Sequence, residues 1–168
     1  NGEFVFAKKA TSGVAAKKVD TELFVHKSPD FTLTVPSWDN AKNPSPRALL
    51  AKVEVPEWQM PFFELYVLDW PEDKPFKDLA ADLIKSLTEN FGGTDCKTVY
   101  EREIKLQDGT PAIELDVRWF SSTTALGGSI HTYQVHALKD KKRIIASITK
   151  TMNIDEKYKQ YPLSLTLK

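Results

Sequence analysis

One continuous pattern, from Pro61 to Thr151, constrains the fold of this chain more than any other feature. An apolar strand leads into one amphipathic helix, and four strands of alternating apolar and polar residues follow in series. A period of about 3.6 residues indicates a helix, and a period of about two indicates a strand. Consecutive strands joined by tight turns pair antiparallel, so the pattern predicts a small α+β domain built on an antiparallel sheet.

The helix is predicted from apolar residues that recur at helical spacing, namely Phe76, Leu79, Ala80, Leu83, Ile84 and Leu87. Asp73 is the predicted N-cap, and Pro75 lies in the first turn, where its missing N–H costs no hydrogen bond. Gly92 and Gly93 end the helix because glycine readily adopts the left-handed conformation that follows a helix. A helix with one apolar stripe must pack against another element, and a sheet is the element available.

Strands are predicted on both sides of this helix, with a proline-rich loop at residues 36–47 and an Asp108-Gly109 turn. A short helical turn near residues 155–160 and a final strand complete the chain. The predicted strands cover residues 22–28, 31–36, 49–55, 61–70, 96–106, 112–120, 129–138 and 143–151.

The composition excludes several classes of protein. The 168 residues include 23 basic and 23 acidic side chains, so the formal net charge is zero, which argues against a nucleic-acid partner. No apolar stretch approaches the ~20 residues of a membrane-spanning helix. Cys96 is the only cysteine, so no internal disulfide is possible.

Two regions are predicted from the length and the local composition. Residues 1–20 are small, polar and lysine-rich with no sustained period, which is typical of a flexible N-terminal tail. Residues 21–168 form a single predicted domain, which is long enough to bury one core. The chain begins at Asn1, and a removed export or lipoprotein signal or a trimmed cytoplasmic chain would each account for that.

Three segments together resemble the PsbP-like domain family over residues 22–165. The segment FTLTVPSWDN, residues 31–40, resembles the strand and "P-S-x-W" turn that open these domains. The middle is similar as well, with one amphipathic helix and a strand that ends at Asp108-Gly109 shortly before Ala112. The segment HTYQVHALKDKKRIIASITKT, residues 131–151, is similar to the closing hairpin of the family.

The resemblance implies an α/β/α sandwich around a central antiparallel sheet. The family includes lumenal subunits of photosystem II, bacterial envelope lipoproteins of unknown role and a Ran-binding nuclear protein, and none of these is a well-established enzyme. It therefore implies a non-enzymatic, exported protein of the periplasm or cell envelope, of the lipoprotein type. Residues 1–20 would then be a tether behind a removed membrane anchor, and the alternative is a tail with no role. No metal or photosystem role is carried over.

The histidines and hydroxyl residues do not form a recognisable catalytic or metal motif. His131 and His136 lie five apart on one predicted strand and therefore point to opposite faces, so we expect no metal site and no cofactor. Residues 121–124 lie near His131 and Asp116, but a Gly-x-Ser-x-Gly motif is absent. A flexible hairpin loop is the favoured interpretation, and a hydrolase is the alternative.

The charged face of the strand at residues 112–120 is the first candidate contact surface. Glu114, Asp116 and Arg118 alternate with apolar residues that face the other way. Because unpaired charges are costly to bury, this face is predicted to be wet or only partly covered, with Arg118 paired to Asp116, Glu64 or Glu103. Ordinary solvated ion pairs or a polar groove that meets a partner would each explain it.

Trp58 and Met60 form the second candidate surface. They lie in the loop before the strand at residues 61–70, where exposed aromatic and thioether side chains would suit a protein contact. Burial beneath the helix is the alternative interpretation.

The sequence thus predicts a non-enzymatic accessory or protein-interaction module of unknown specific role. Its partner is expected to be another protein, and the predicted partner-binding residues are Trp58, Met60, Glu114, Asp116 and Arg118. The alternative function is carriage of a small apolar or amphipathic ligand in a helix–sheet pocket. That alternative requires a cavity lined by residues such as Leu83, Leu87 and Trp119.

Overall fold

The structure, a computed structural model, describes residues 5–8, 21–54, 61–121 and 128–168. These residues form eleven strands and two helices: β1 (Val5–Lys8), β2 (Thr21–Lys27), β3 (Asp30–Pro36), β4 (Asp39–Asn40), β5 (Ala48–Val53), β6 (Phe62–Asp69), α1 (Leu79–Phe91), β7 (Gly93–Lys105), β8 (Pro111–Ser121), β9 (Ser129–Lys139), β10 (Lys142–Thr151), α2 (Glu156–Leu163) and β11 (Thr166–Leu167).

The described strands form two antiparallel sheets. The larger sheet has seven strands in the order β4-β5-β6-β10-β9-β8-β7, and the smaller has four in the order β1-β2-β3-β11. The pattern that runs from Pro61 to Thr151 supplies five strands of the larger sheet, from β6 to β10. The predicted antiparallel α+β architecture is therefore confirmed.

Helix α1 covers one face of the seven-stranded sheet, which we call the α1 face. It packs over β7 and β8 and buries Leu79, Ala80 and Leu87 in one cluster. From β8 the same cluster receives Leu115 and Val117, whose neighbours in the strand point away. Because side chains alternate along β8, its apolar residues share one face of the sheet, and the apolar residues of α1 pack against that face.

The opposite face, the α2 face, is covered by α2 and the smaller sheet. Phe31, Leu33 and Val35 of β3 are fully buried in a second cluster that includes Tyr133 of β9 and Tyr161 of α2. The layers are therefore α1, the seven-stranded sheet, and a third layer in which a helix and a second sheet lie side by side. That second sheet is an addition to the sandwich that the sequence predicts.

The first turn of α1 differs from the prediction. The helix begins at Leu79, because Asp78 has a left-handed backbone conformation with φ 57° and ψ 32° that an α-helix does not accommodate. Asp73 and Pro75 lie in the preceding irregular segment and do not cap the helix. The predicted end is confirmed, since Gly92 is the C-cap at φ 60°.

The two predicted hairpins of the larger sheet are present. Gly109, at φ 83°, turns the chain between β7 and β8, and Asp108 Oδ1 accepts a 2.8 Å hydrogen bond from Thr110 N. Asp140 and Lys141 turn the chain between β9 and β10, both with positive φ, as two-residue hairpin turns require.

The predicted N-terminal tail is described only in part. Within residues 1–20 the structure describes Val5–Lys8, which pair with β2 as strand β1, where the sequence predicts no regular structure. Among the described residues, no helix has the length and apolar character needed to cross a membrane.

Candidate functional site

Strand β8 leaves the cover of the third layer at its C-terminal end. Glu114 and Asp116 are only 4% and 2% exposed, whereas Arg118 is exposed and Phe120 is 44% exposed. All four side chains point to the α2 face, because they alternate with the buried apolar residues of the α1 face. The prediction of a wet face is therefore wrong for Glu114 and Asp116 and holds only from Arg118 onward.

Glu114 is buried within a set of hydrogen-bond donors. Arg102 Nε lies 2.5 Å from its Oε2, and the hydroxyls of Tyr133 and Tyr100 donate to Oε1 at 2.8 and 3.2 Å. Burial acts to raise the pKa of Glu114, but the hydrogen bonds from Arg102 and Tyr133 outweigh it and hold the pKa below its ordinary value. The ionised carboxylate is thus internally satisfied and has a structural role.

Asp116 is likewise satisfied from within the molecule. Its Oδ1 lies 2.5 Å from His131 Nε2, and Lys159 Nζ of α2 lies 3.8 Å from Oδ2. His131 Nδ1 accepts a 3.1 Å hydrogen bond from the backbone N–H of Ile154, so Nε2 carries the hydrogen that points to Asp116. This contact ties β8, β9 and the segment before α2 together.

Basic side chains and one histidine occupy a single register line across four strands. Lys97 of β7 pairs with Arg118 of β8, Arg118 with His131 of β9, and His131 with Lys150 of β10. His131 and Lys150 have carboxylate partners in Asp116 and Asp155. Arg118 and Lys97 form no ion pair with any described residue, so the predicted pairing of Arg118 with Asp116, Glu64 or Glu103 is absent there.

One exposed apolar residue, Phe120, lies beside these two cations, and a second, Met152, lies at the same end of the sheet. Phe120 follows Arg118 on the same face of β8 and pairs in register with Ser129. The backbone N–H of Met152, whose side chain is 75% exposed, donates to the carbonyl of the same Ser129 at 2.8 Å. We call Lys97, Arg118, Phe120 and Met152 the Arg118 surface.

The described residues do not provide a metal site or a nucleophile–base pair. His131 and His136 point to opposite faces of the sheet, as predicted, since their register partners Arg118 and Ile113 alternate on β8. No group of three His, Cys, Asp or Glu side chains in the described ranges is arranged to hold a metal ion. Ser121 Oγ donates to the carbonyl of Phe91 at 3.0 Å, and residues 122–127 lie outside the described ranges.

Trp58 and Met60 also lie outside the described residues, so their predicted contact role stays a prediction.

In the described helix–sheet interface, the residues predicted to line a ligand pocket pack against one another. Leu87 and Trp119 are buried in one cluster, with Leu83 packed against it. Two open depressions adjoin Trp70 and Glu72, the smaller of about 290 Å³ at the edge of this cluster, and Leu83, Leu87 and Trp119 line neither. The positions that the carrier hypothesis requires are thus occupied by packed side chains.

Sequence reasoning identified Arg118 and missed its partners on the surface. Phe120 belongs to the same alternation as Arg118, and that alternation was the available signal for it. Lys97 had no comparable signal, because its position opposite Arg118 depends on irregular pairing within β7.

Comparisons with known proteins identify the fold. The sequence matches no protein-family model, and no curated protein matches it either. Similar solved structures include the cyanobacterial PsbP protein, CyanoP, of Synechocystis sp. PCC 6803, with a TM-score of 0.67 at 12% identity over 95% of this chain and 98% of that one. The Ran-binding protein Mog1p of Saccharomyces cerevisiae has a TM-score of 0.55 at 14% identity over 88% of this chain and 87% of that one.

A mutant form of Mog1 is also similar, with a TM-score of 0.50 at 15% identity over 80% of this chain and 81% of that one. Identities this low establish the fold alone, and the antiparallel sheet with its two helices agrees with it. The chain has the PsbP-like fold, which it shares with CyanoP and Mog1.

Proposed function

We propose that this chain is a non-catalytic protein-interaction module that binds a protein partner through the Arg118 surface. The observation that carries the proposal is the juxtaposition on one sheet face of the exposed Phe120 with two cations, Lys97 and Arg118, that form no ion pair with a described residue. Aromatic residues and arginine are the side chains most enriched in the energetically dominant parts of protein interfaces.

The like charges of Lys97 and Arg118 support the proposal. The two residues are directly opposite each other in neighbouring strands. Like charges in that position destabilise a sheet, so the pairing costs stability in the isolated protein. A partner that supplies negative charge would relieve this repulsion, whereas a purely structural role gives no reason for it.

The structural neighbours support the same class of function. Mog1p is described as a Ran-binding protein, so the fold serves protein recognition in at least one relative of that shape. Fold likeness does not transfer a partner, and Ran itself is not proposed for this chain.

A location in the cell envelope is part of the proposal. It rests on the resemblance of residues 22–165 to a family with exported and lipoprotein members. In that setting residues 1–20 would tether the domain to a membrane. Fractionation of the native cells tests the location separately from binding. Recovery of the protein in the cytoplasm would contradict the envelope location and leave the binding proposal intact.

Position-specific photocrosslinking tests the binding function. A photoreactive amino acid replaces Thr94, the exposed register partner of Phe120, in one variant and Lys105, which is exposed at the other end of β7, in a matched control. Lys97, Arg118 and Phe120 thus stay in place, and we expect a discrete protein adduct in the native cells from position 94 and none from position 105. Equal labelling from both positions, or no protein adduct from position 94, would overturn the proposal.

A further inference from the structure

We infer that the partner presents an extended acidic segment with a large apolar side chain two residues from an acidic one. This inference rests on the proposed function and specifies what the Arg118 surface recognises. It follows from the charges of the surface, the spacing of its residues along β8, and the extent of the unpaired cations.

The charges of the surface select an acidic occupant. Across β7 to β10, the register line holds three basic side chains, and among the described residues only Lys150 has a carboxylate partner, Asp155, at 3.1 Å. The nearby carboxylates Glu114 and Asp116 are buried and committed to internal donors. The outer end of the row therefore presents uncompensated positive charge, which a carboxylate complements.

The spacing of the surface selects an extended segment. Neighbouring strands lie about 4.8 Å apart, so the side chains of Lys97 and Arg118 can converge on one carboxylate. Along a strand, residues two apart are separated by about 6.6 Å, which is the separation of Arg118 from Phe120. An extended segment that lies along β8 has the same spacing of about 6.6 Å between residues two apart. When its acidic residue contacts Arg118, the residue two positions away therefore contacts Phe120. The other exposed apolar residue at this end of the sheet is Met152, whose backbone N–H donates to the carbonyl of Ser129, the register partner of Phe120.

The small number of cations without a carboxylate partner among the described residues argues against nucleic acid or lipid as the occupant. A phosphate backbone is normally neutralised at several successive positions, and a membrane surface gains only about 1 kcal/mol from each nearby basic residue. Two unpaired cations with buried carboxylates directly behind them form a local site and not an extended basic stripe. One acidic side chain is the occupant of matching size.

Addition of a partner strand to β7 is not the favoured geometry. The pairing of β7 with β8 shifts register twice, between Thr94 and Lys97 and between Thr98 and Tyr100. Bulges of this kind twist a strand and interrupt a regular ladder, and natural proteins use them to protect sheet edges. The segment is therefore expected to bind by its side chains across the sheet face.

Short peptides test the inference with the full chain. Three peptides share a Gly/Ser background and carry Glu-Ser-Phe, Gln-Ser-Phe or Glu-Ser-Ser at the centre. Chemical-shift titration should place the Glu-Ser-Phe peptide on the Arg118 surface, with about tenfold weaker binding for each of the other two. Raising the salt concentration from about 50 to about 300 mM should weaken the Glu-Ser-Phe peptide and have little effect on Gln-Ser-Phe.

Matched variants complete the design. Lys97→Glu should weaken the Glu-Ser-Phe peptide about tenfold, and Lys105→Glu, the same change at the other end of β7, should not. Equal binding of the Glu and Gln peptides, shifts elsewhere on the molecule, or binding of single-stranded DNA or anionic vesicles in place of the peptide would overturn the inference. If the crosslinked partner then binds Lys97→Glu unchanged, the inference fails while the proposed function stands. If position 94 gives no protein adduct, the proposed function itself fails.

Discussion

His136 shows how burial and a nearby charge fix the protonation of a side chain. It points to the α1 face, is fully buried, and its Nε2 lies 2.8 Å from Oε1 of Gln134. Burial first, and then the positive charge of Arg143, lowers the pKa of His136 from 6.5 to about 3. The imidazole therefore stays neutral in the folded protein at pH values where an unfolded chain protonates it.

The contribution of His136 to stability should consequently fall with acidification below about pH 6.5. In that range His136 is protonated in the unfolded state and neutral in the folded state, so its contribution to the free energy of unfolding decreases by up to about 1.4 kcal/mol per pH unit. The loss continues until the pH reaches the folded pKa of about 3. Burial raises the pKa of Glu64, which acts in the opposite direction but is present in both proteins compared below. Urea unfolding of the protein and of His136→Leu between about pH 6.5 and about pH 5 measures the effect.

Between about pH 6.5 and about pH 5, the free energy of unfolding of His136→Leu should depend less on pH than that of the unmodified protein. His26 and His131 are present in both proteins and cancel in the difference. The lowered pKa of Glu114 also removes stability in acid, but only below its ordinary value of 4.5. Parallel curves for the two proteins would contradict the account of His136.

Asp116 and Arg118, two residues apart on β8, are expected to differ sharply in their effect on stability. Asp116→Ala leaves Lys159 and His131 without their buried carboxylate partner and should cost about 3–5 kcal/mol of unfolding free energy. Arg118→Ala removes an exposed side chain that is not ion-paired to a described residue and relieves its repulsion from Lys97, so the urea midpoint should stay the same or rise slightly. Similar losses in both variants would show that Arg118 has a structural role.

At the scale of elements, β7 shows what local sequence rules can and cannot predict. The Asp108-Gly109 turn was predicted, and it sets the pairing of Arg102 with Glu114. Continued without interruption, that register would place Thr98 opposite Arg118. The bulge between Thr98 and Tyr100 shifts it by one residue, so Lys97 lies there instead. Alternation therefore predicts the position of Arg118. The position of Lys97 opposite it depends on the bulge, which has no clear local signal in the sequence.

The start of α1 is another element whose position depends on distant contacts. The carboxylate of Glu101 on β7 accepts hydrogen bonds from the backbone N–H groups of Leu79 and Ala80, at 2.8 and 3.0 Å. Local signals favoured Asp73 and Pro75, but the cap is supplied by a residue from the adjacent strand. A tertiary cap of this kind is invisible to sequence spacing.

Removal of this cap should destabilise the protein measurably. Glu101→Ala leaves two N–H groups at the helix start without their acceptor and should cost about 1–2 kcal/mol in thermal or urea unfolding. Glu103→Ala, an exposed position on the same strand, is the control and should have no effect. An equal response of the two variants would mean that the Glu101 carboxylate does not stabilise α1.

For the whole molecule, the order of elements predicted the sheet and the helix that packs on it, because both depend on local periodicity. The buried state of Glu114 and Asp116 was not predictable in the same way. Their cover comes from α2 and the smaller sheet, which lie far away in sequence, and their donors come from Arg102, His131 and Lys159. Alternation identifies which side chains share a face, and only the packing of distant segments decides where that face meets water.

The claim that the Arg118 surface binds a protein is tested most directly by the affinity of the crosslinked partner for matched apolar variants. Phe120→Ser removes the exposed aromatic group of the surface, and Leu23→Ser removes an apolar side chain of similar exposure on the smaller sheet. We predict that Phe120→Ser raises the dissociation constant at least about tenfold and that Leu23→Ser leaves it unchanged. Equal affinity of the two variants and the unmodified protein would contradict the account.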